Sequence, residues 1–249
     1  CAAATSPAHG VNELAIAGAL RGEPVPVVRC ETIDVLVPAN AEMVLEGEML
    51  PERREKEAPF GDFMQFYMPE VQSPIFRLKA ITHRRDAMYH DMQAGCDDDM
   101  HVLAPSREAL IYDALERAGI KVKAVSLLPT ILGVAVSIEK QFEREGKNAA
   151  LTALGSYRWG KTCIVVDHDV DVYSYEDVLW AFTTRCRPDQ GTFVVPEAMG
   201  FPRDPFHIHQ SKIGIDATAP LGQWTEFERK QVPGTASLKL EEYLDGYGS

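Results

Sequence analysis

Two carboxylates five residues apart, Glu57 and Asp62, flank the stretch Ala58-Pro59-Phe60-Gly61, just after the charged run Glu52 to Lys56. Pro59 and Gly61 make helical spacing unfavourable, so a turn must decide whether the two acids converge. If they do, mutual repulsion and desolvation leave one acid protonated beside an ionised partner, which is equipment for giving a proton to a carbanion. The alternative is two solvated loop acids. Glu13, after Val11-Asn12, could ligate a hard cation with nearby backbone carbonyls, or could simply be an acid favoured at a helix N-terminus. Asp167-His168-Asp169-Val170-Asp171 at a strand end, Cys96-Asp97-Asp98-Asp99 with His101, and His207-Ile208-His209 have metal-ligand residue types. Each also reads as ordinary polar loop or edge residues, and two His without a third ligand are weak. Lys161, Arg203 and Lys212 are the basic residues that could hold an anionic substrate, against the plainer reading of surface charge.

The elements that must position these residues change character along the chain. Short β-branched runs from Val25 to Cys30, Ile33 to Pro38, Met43 to Leu50 and Ile75 to Thr82 predict an antiparallel sheet or barrel. Leu14 to Leu20 predicts a short helix before it. From Pro105 onward the pattern alternates. Ser106 is a plausible N-cap for an apolar stripe through Leu110, Ala114, Leu115 and Ala118, ended by Gly119. Strands follow from Val122 to Leu128 and Ile131 to Ile138, then a helix from Glu139 to Leu154 and a strand from Thr162 to Asp167. A further helix opens at Ser174. After Pro188 the chain is expected to loop to a final helix from Ser237 to Leu244. The order predicts an α/β domain with helices packed on a sheet. The whole chain is then α+β: residues 1–104 form part of a barrel-like domain, and residues 105–249 form an α/β domain with a terminal helix suited to oligomer contacts.

The chain has 249 residues, 45% hydrophobic and 25% charged, which fits a soluble globular protein and excludes a disordered tail or a collagen-like fibre. A net charge of −12 argues against nucleic acid and anionic membrane surfaces as partners, but leaves room for a local basic pocket. No apolar run reaches the roughly 18–20 residues that span a bilayer, and Cys1 to Pro7 lack the basic start and apolar stretch of a signal peptide. Cys1, Cys30, Cys96, Cys163 and Cys186 are scattered without a C-x-x-C pair, which favours a reducing cytoplasm over a disulfide scaffold or zinc site. Cys1 could be the nucleophile of a self-processed amidohydrolase, or the first residue of a chain whose true beginning lies elsewhere.

Several segments taken together are more specific. Cys30-Glu31-Thr32 with Asp34, Val37-Pro38-Ala39-Asn40-Ala41-Glu42, Val44-Leu45-Glu46-Gly47 and Ala58-Pro59-Phe60-Gly61-Asp62 resemble the UbiD family of reversible decarboxylases, which use prenylated flavin mononucleotide. The resemblance continues through Asp169-Val170-Asp171-Val172, Asp177 to Phe182, Thr184-Arg185-Cys186-Arg187-Pro188 and Lys212 to Thr218. It implies a split flavin-binding barrel followed by the α/β domain.

It also implies roles. Glu57 matches the proton donor to the product carbon, and Asp62 the second acid. Glu13 matches the ligand of the manganese or magnesium ion that holds the flavin phosphate. Ala4, Thr5, Ser6 and Pro7 match the loop whose backbone touches the flavin and a potassium ion. Phe63, Ala104, Lys161, Phe201 and Arg203 fall where family members line the substrate pocket. Lys161 and Arg203 would add positive charge there, so the substrate implied is an aromatic or α,β-unsaturated acid with a polar or second anionic group, released as product and carbon dioxide. The family's catalytic arginine and its other two metal ligands lie upstream of the matched region. An N-terminal region or second subunit is therefore an implied partner, together with further copies of the chain. The alternative is a non-catalytic subunit or assembly module of a UbiD-like complex.

Overall fold

The computed structural model describes residues 12–57, 59–127, 129–206, 210–230 and 234. The flavin-loop residues Ala4 to Pro7, Cys1, His207, His209 and the expected helix from Ser237 to Leu244 lie outside them.

Helix α1 (Glu13–Arg21) starts where the Asn12 side chain accepts a hydrogen bond from Leu14 N at 2.8 Å and stops at Gly22, whose φ of 75° suits a residue without a Cβ. Strands β1 (Val27–Arg29) and β2 (Leu36–Pro38) pair antiparallel. The next pair, β3 (Met43–Glu57) and β4 (Val71–His83), forms a long antiparallel ribbon. β3 continues past Leu50 into the charged run because a register shift between Leu50 and Arg54 absorbs Pro51. The ribbon leaves Met43, Leu45, Met49, Phe76, Leu78 and Ile81 exposed. Among the described residues these strands close no barrel, since both sheets have two strands.

Helix α2 (Asp97–Arg117) corrects the expectation of a start at Ser106. Its first turn holds Asp97, Asp98 and Asp99, which the positive end of the helix dipole favours, and Pro105 lies inside rather than at the boundary. The helix thus runs through Ala104 and Pro105, where the two textures of the sequence meet.

The remaining strands, β5 (Val122–Ser126), β6 (Gly133–Ile138), β7 (Thr162–Asp167), β8 (Thr192–Val195) and β9 (Lys212–Ala217), form one sheet in the order β5-β6-β7-β9-β8. Its centre, β6-β7-β9, is parallel and both edges are antiparallel. Helix α3 (Glu145–Ser156) packs on β9 and β7 and against α2, while α4 (Tyr175–Arg185) packs on the same two strands. Alternation sorts the core by face. Val134, Val136, Ile138, Cys163 and Val165 join Ile111, Leu115, Ala149 and Ala153 in one cluster; Ala135, Val166, Ile215 and Ala217 join Val178 and Ala181 in another.

Three further expectations are corrected. α3 begins at Glu145, not Glu139, because the Glu145 carboxylate accepts from Gln141 N and Phe142 N and so ties the preceding turn back onto the helix start. The segment from Ile131 becomes strand only at Gly133. After Pro188 the chain does not simply loop onward: a short helix, α5 (Pro188–Gly191), leads into β8 and then the central strand β9. A last short helix, α6 (Trp224–Phe227), follows. No helix among the described residues is long and apolar enough to cross a membrane.

Candidate active site

Glu57 ends β3 opposite Val71, and its exposed carboxylate accepts a hydrogen bond from the Ser73 hydroxyl. The loop that follows folds back on itself. Gly61 bridges Tyr67, Asp62 N donates to the Phe66 carbonyl at 2.9 Å, and Gln65 N donates to the Asp62 carbonyl at 2.8 Å, with Gln65 at φ 62°. Asp62 is consequently 5% exposed while Glu57 faces solvent. Five residues of sequence thus place the two acids in opposite environments, and no hydrogen bond among the described residues joins them.

Asp62 finds its partner 141 residues away, where Arg203 Nη1 lies 3.3 Å from Oδ2. The neighbouring residues meet as well. The Phe63 ring packs edge-on against Phe201 at 4.9 Å between centroids, and Phe201 packs against Trp159 at 5.2 Å. Ala104 is buried in the core cluster against which Phe63 also packs. Lys161 donates to Asp204 at 2.8 Å, and its ammonium lies 4.7 Å from the Phe206 ring centroid. The structure therefore gathers Asp62, Phe63, Phe201, Arg203 and Lys161 where the loop after β3 meets the loop from Phe201 to Phe206. An apolar cleft of about 580 Å³ opens beside them, lined in part by Phe66, Leu132, Lys161 and Phe206.

Glu13 stands apart from this cluster, as the exposed first residue of α1 beside an open groove whose lining includes Val27 and Leu36. Among the described residues no group of three His, Cys, Asp or Glu is placed to hold a metal ion. Asp97, Asp98 and Asp99 form the first turn of α2.

Asp167 and Asp169 instead hold Arg185. Its guanidinium donates to Asp167 at 2.9 Å and to both oxygens of Asp169 at 2.7 Å, and the Ala219 amide also caps Asp167. Burial pushes the Asp167 carboxyl up; it would do the same to Asp169, but the hydrogen bonds and charge of Arg185 outweigh it and hold Asp169 below the usual range.

Lys212 is corrected as a substrate-binding residue. Its ammonium donates to the carbonyls of Tyr157, Arg158 and Gly160 at 3.2, 2.8 and 2.8 Å, and burial lowers its pKa. It therefore fastens the turn carrying Trp159. Lys161 and Arg203 carry the charge expected of them, but carboxylates of the protein already face both. Sequence reading missed those partners, and missed Trp159 as a wall of the site; a lone Trp in Tyr157-Arg158-Trp159-Gly160 signals nothing by itself.

A family model described as the 3-octaprenyl-4-hydroxybenzoate carboxy-lyase Rift-related domain (UbiD) matches residues 1–96. Its companion, the 3-octaprenyl-4-hydroxybenzoate carboxy-lyase C-terminal domain, matches residues 101–217. The chain belongs to the UbiD family. An anhydromevalonate phosphate decarboxylase of Methanothermobacter thermautotrophicus is 35% identical over 234 residues, 92% of this chain and 55% of that protein. The UbiD-class enzyme HmfF from Pelotomaculum thermopropionicum, in complex with FMN, superposes with a TM-score of 0.91 at 39% identity, over 98% of this chain and 56% of that one. An evolved dimeric form of HmfF in complex with prFMN gives 0.84 at 36% identity, over 98% and 54%. The chain thus spans about half the length of these UbiD-family relatives, and the α+β fold expected from sequence is the one they share.

Proposed function

We propose that this chain serves a prenylated-FMN-dependent, reversible decarboxylation of an aromatic or α,β-unsaturated carboxylic acid bearing a polar or second anionic group. The observation that carries the reading is the split environment of Glu57 and Asp62. One carboxyl is exposed at a strand end; the other is buried in a tight turn beside an aromatic pair and a guanidinium. Exposed Phe60, Phe66, Tyr67 and Val71 flank the two acids and offer the apolar surface that a flavin ring covers, so the residues present fit the cofactor. Prenylated FMN, when bound, supplies the sink for the electron pair left as carbon dioxide departs.

This chain's residues do the rest. Glu57 delivers the proton that replaces the carboxylate, with the Ser73 hydroxyl holding its orientation. Asp62 and Arg203 close one side of the pocket, and Phe63 and Phe201 sort substrates by shape. Glu13, an exposed carboxylate at the start of α1, is the proposed ligand for manganese or magnesium, with further ligands drawn from outside the described residues. Ala4 to Pro7 are the proposed potassium and flavin loop. The second anionic group is supported by the phosphate in the name of the Methanothermobacter relative and by the half-exposed guanidinium of Arg203.

The test is carbon dioxide release by the flavin-loaded protein, with Glu57→Gln lowering kcat by about 10²–10⁴ and leaving the bound-flavin absorbance intact. Full activity in that variant would sink the assignment of Glu57. A protein that takes up no flavin would point instead to an assembly module.

A further inference from the structure

We propose that Arg203 determines substrate specificity by exchange: its guanidinium leaves Asp62 for a second anionic group on the substrate. The proposal rests on the decarboxylase reading above.

Five observations converge on it. The Arg203–Asp62 contact runs from one nitrogen to one oxygen at 3.3 Å, beyond the usual 2.7–3.2 Å of an N–H···O bond. The two partners are also unequal. Asp62 is buried, with 4% of its side chain exposed, whereas 55% of the Arg203 side chain meets solvent. A half-exposed, single-contact pair is weak. A carboxylate or phosphate that met the guanidinium fork on two oxygens would displace it.

The backbone around Arg203 is held by hydrogen bonds, while its side chain is half exposed. The Phe201 carbonyl accepts from Asp204 N at 3.0 Å and from Gln210 Nε2 at 2.8 Å. The Asp204 carboxylate accepts from Lys161 at 2.8 Å and from Phe206 N at 2.9 Å. Swinging the guanidinium therefore needs no rearrangement of the loop.

The other two basic residues considered for the substrate are committed within the protein. Lys161 is fixed to Asp204 on the same loop, and Lys212 is spent on three carbonyls. Arg203 is the one whose partner lies across the site, on the loop that carries the proposed second acid. Finally, Phe63 and Phe201 pack together beside the pair. A flat acid held against those rings brings a distal anionic group within the sweep of the Arg203 side chain.

Exchange makes an unusual demand on mutants: removing the charge of a binding-site acid must tighten binding. The measurement is calorimetric titration of the flavin-loaded protein with two saturated acids that resist decarboxylation, 3-phenylpropanoate and 3-(4-carboxyphenyl)propanoate. Asp62→Asn frees the guanidinium, so it should bind the diacid about two- to fivefold more tightly and the monoacid unchanged. Arg203→Leu should weaken the diacid about tenfold, to near the monoacid, and adding Asp62→Asn to it should have no further effect. If Asp62→Asn leaves the diacid unchanged or weaker while the monoacid still binds, Arg203 merely holds Asp62 and the proposal is overturned. If neither acid binds the flavin-loaded protein, the decarboxylase reading falls and takes the exchange with it.

Discussion

Arg185 grips Asp169 with two parallel hydrogen bonds of 2.7 Å each, fork to fork, and spends its remaining reach on Asp167 and the Phe227 carbonyl. The guanidinium carbon also lies 4.8 and 5.2 Å from the ring centroids of Trp180 and Trp224. One buried cation thereby joins the end of β7, the last turn of α4 and the chain beyond β9.

Replacing Arg185 with Met leaves Asp167 buried without its counter-charge and releases the segment around Phe227. A loss of about 3–5 kcal/mol is expected, as for breaking one side of a buried ion pair. Urea unfolding followed by tryptophan fluorescence reads it directly, since Trp180 and Trp224 flank the lost group. A loss under 1 kcal/mol would mean that water enters and satisfies the two acids.

Lys212→Met tests the fastening of the aromatic wall. The apolar side chain fills the same space but leaves the carbonyls of Tyr157, Arg158 and Gly160 without their shared donor. About 2–4 kcal/mol of stability should go with it. Substrate affinity should fall too, because Trp159 backs Phe201. Unchanged affinity with reduced stability would separate the turn from the site.

Glu46 supplies a pH test. It is buried on β3 and accepts from the Thr32 hydroxyl and amide at 2.6 and 2.7 Å and from the Glu31 amide at 2.9 Å. The Thr32 hydroxyl, then the backbone amides, hold its carboxyl below the usual carboxylate range. Because the folded value is the lower one, the stability this group contributes is fully present above its ordinary value of about 4.3. It is lost as pH falls through the depressed folded value. Carboxyl NMR titration should find its midpoint below those of exposed glutamates, and Thr32→Val should raise it. An unmoved midpoint would show that the amides alone do the work.

Much of the fold could be read from local signals. Asn12 and Ser174 mark helix starts because short polar side chains cap orphan amides, and Thr162–Asp167 is a mostly buried run centred on the β-branched Ile164, Val165 and Val166. β9 escaped because Lys212, Gly214 and Asp216 break its apolar pattern. Each has a tertiary reason. Lys212 meets three carbonyls; Gly214 leaves room for the Phe193 ring; Asp216 accepts from Thr218 and lies where a Cβ on Gly146 would strike it. α2 was cut short because Pro105 reads as a boundary, although its fixed φ is helical and only one amide is lost. At the candidate site, no local pattern pairs Asp62 with Arg203 across 141 residues.

The β3–β4 ribbon bears on how the two acids are held. Asp62 is held by its own turn, and its neighbour Phe63 packs against Phe201 and the buried core around Ala104. Glu57 rides the end of a two-stranded ribbon whose broad apolar side remains open among the described residues. A lone ribbon of that kind is marginally stable in water. If Glu57 is the proton donor proposed above, its aim is expected to sharpen when another surface covers Leu45, Met49 and Phe76 on that ribbon.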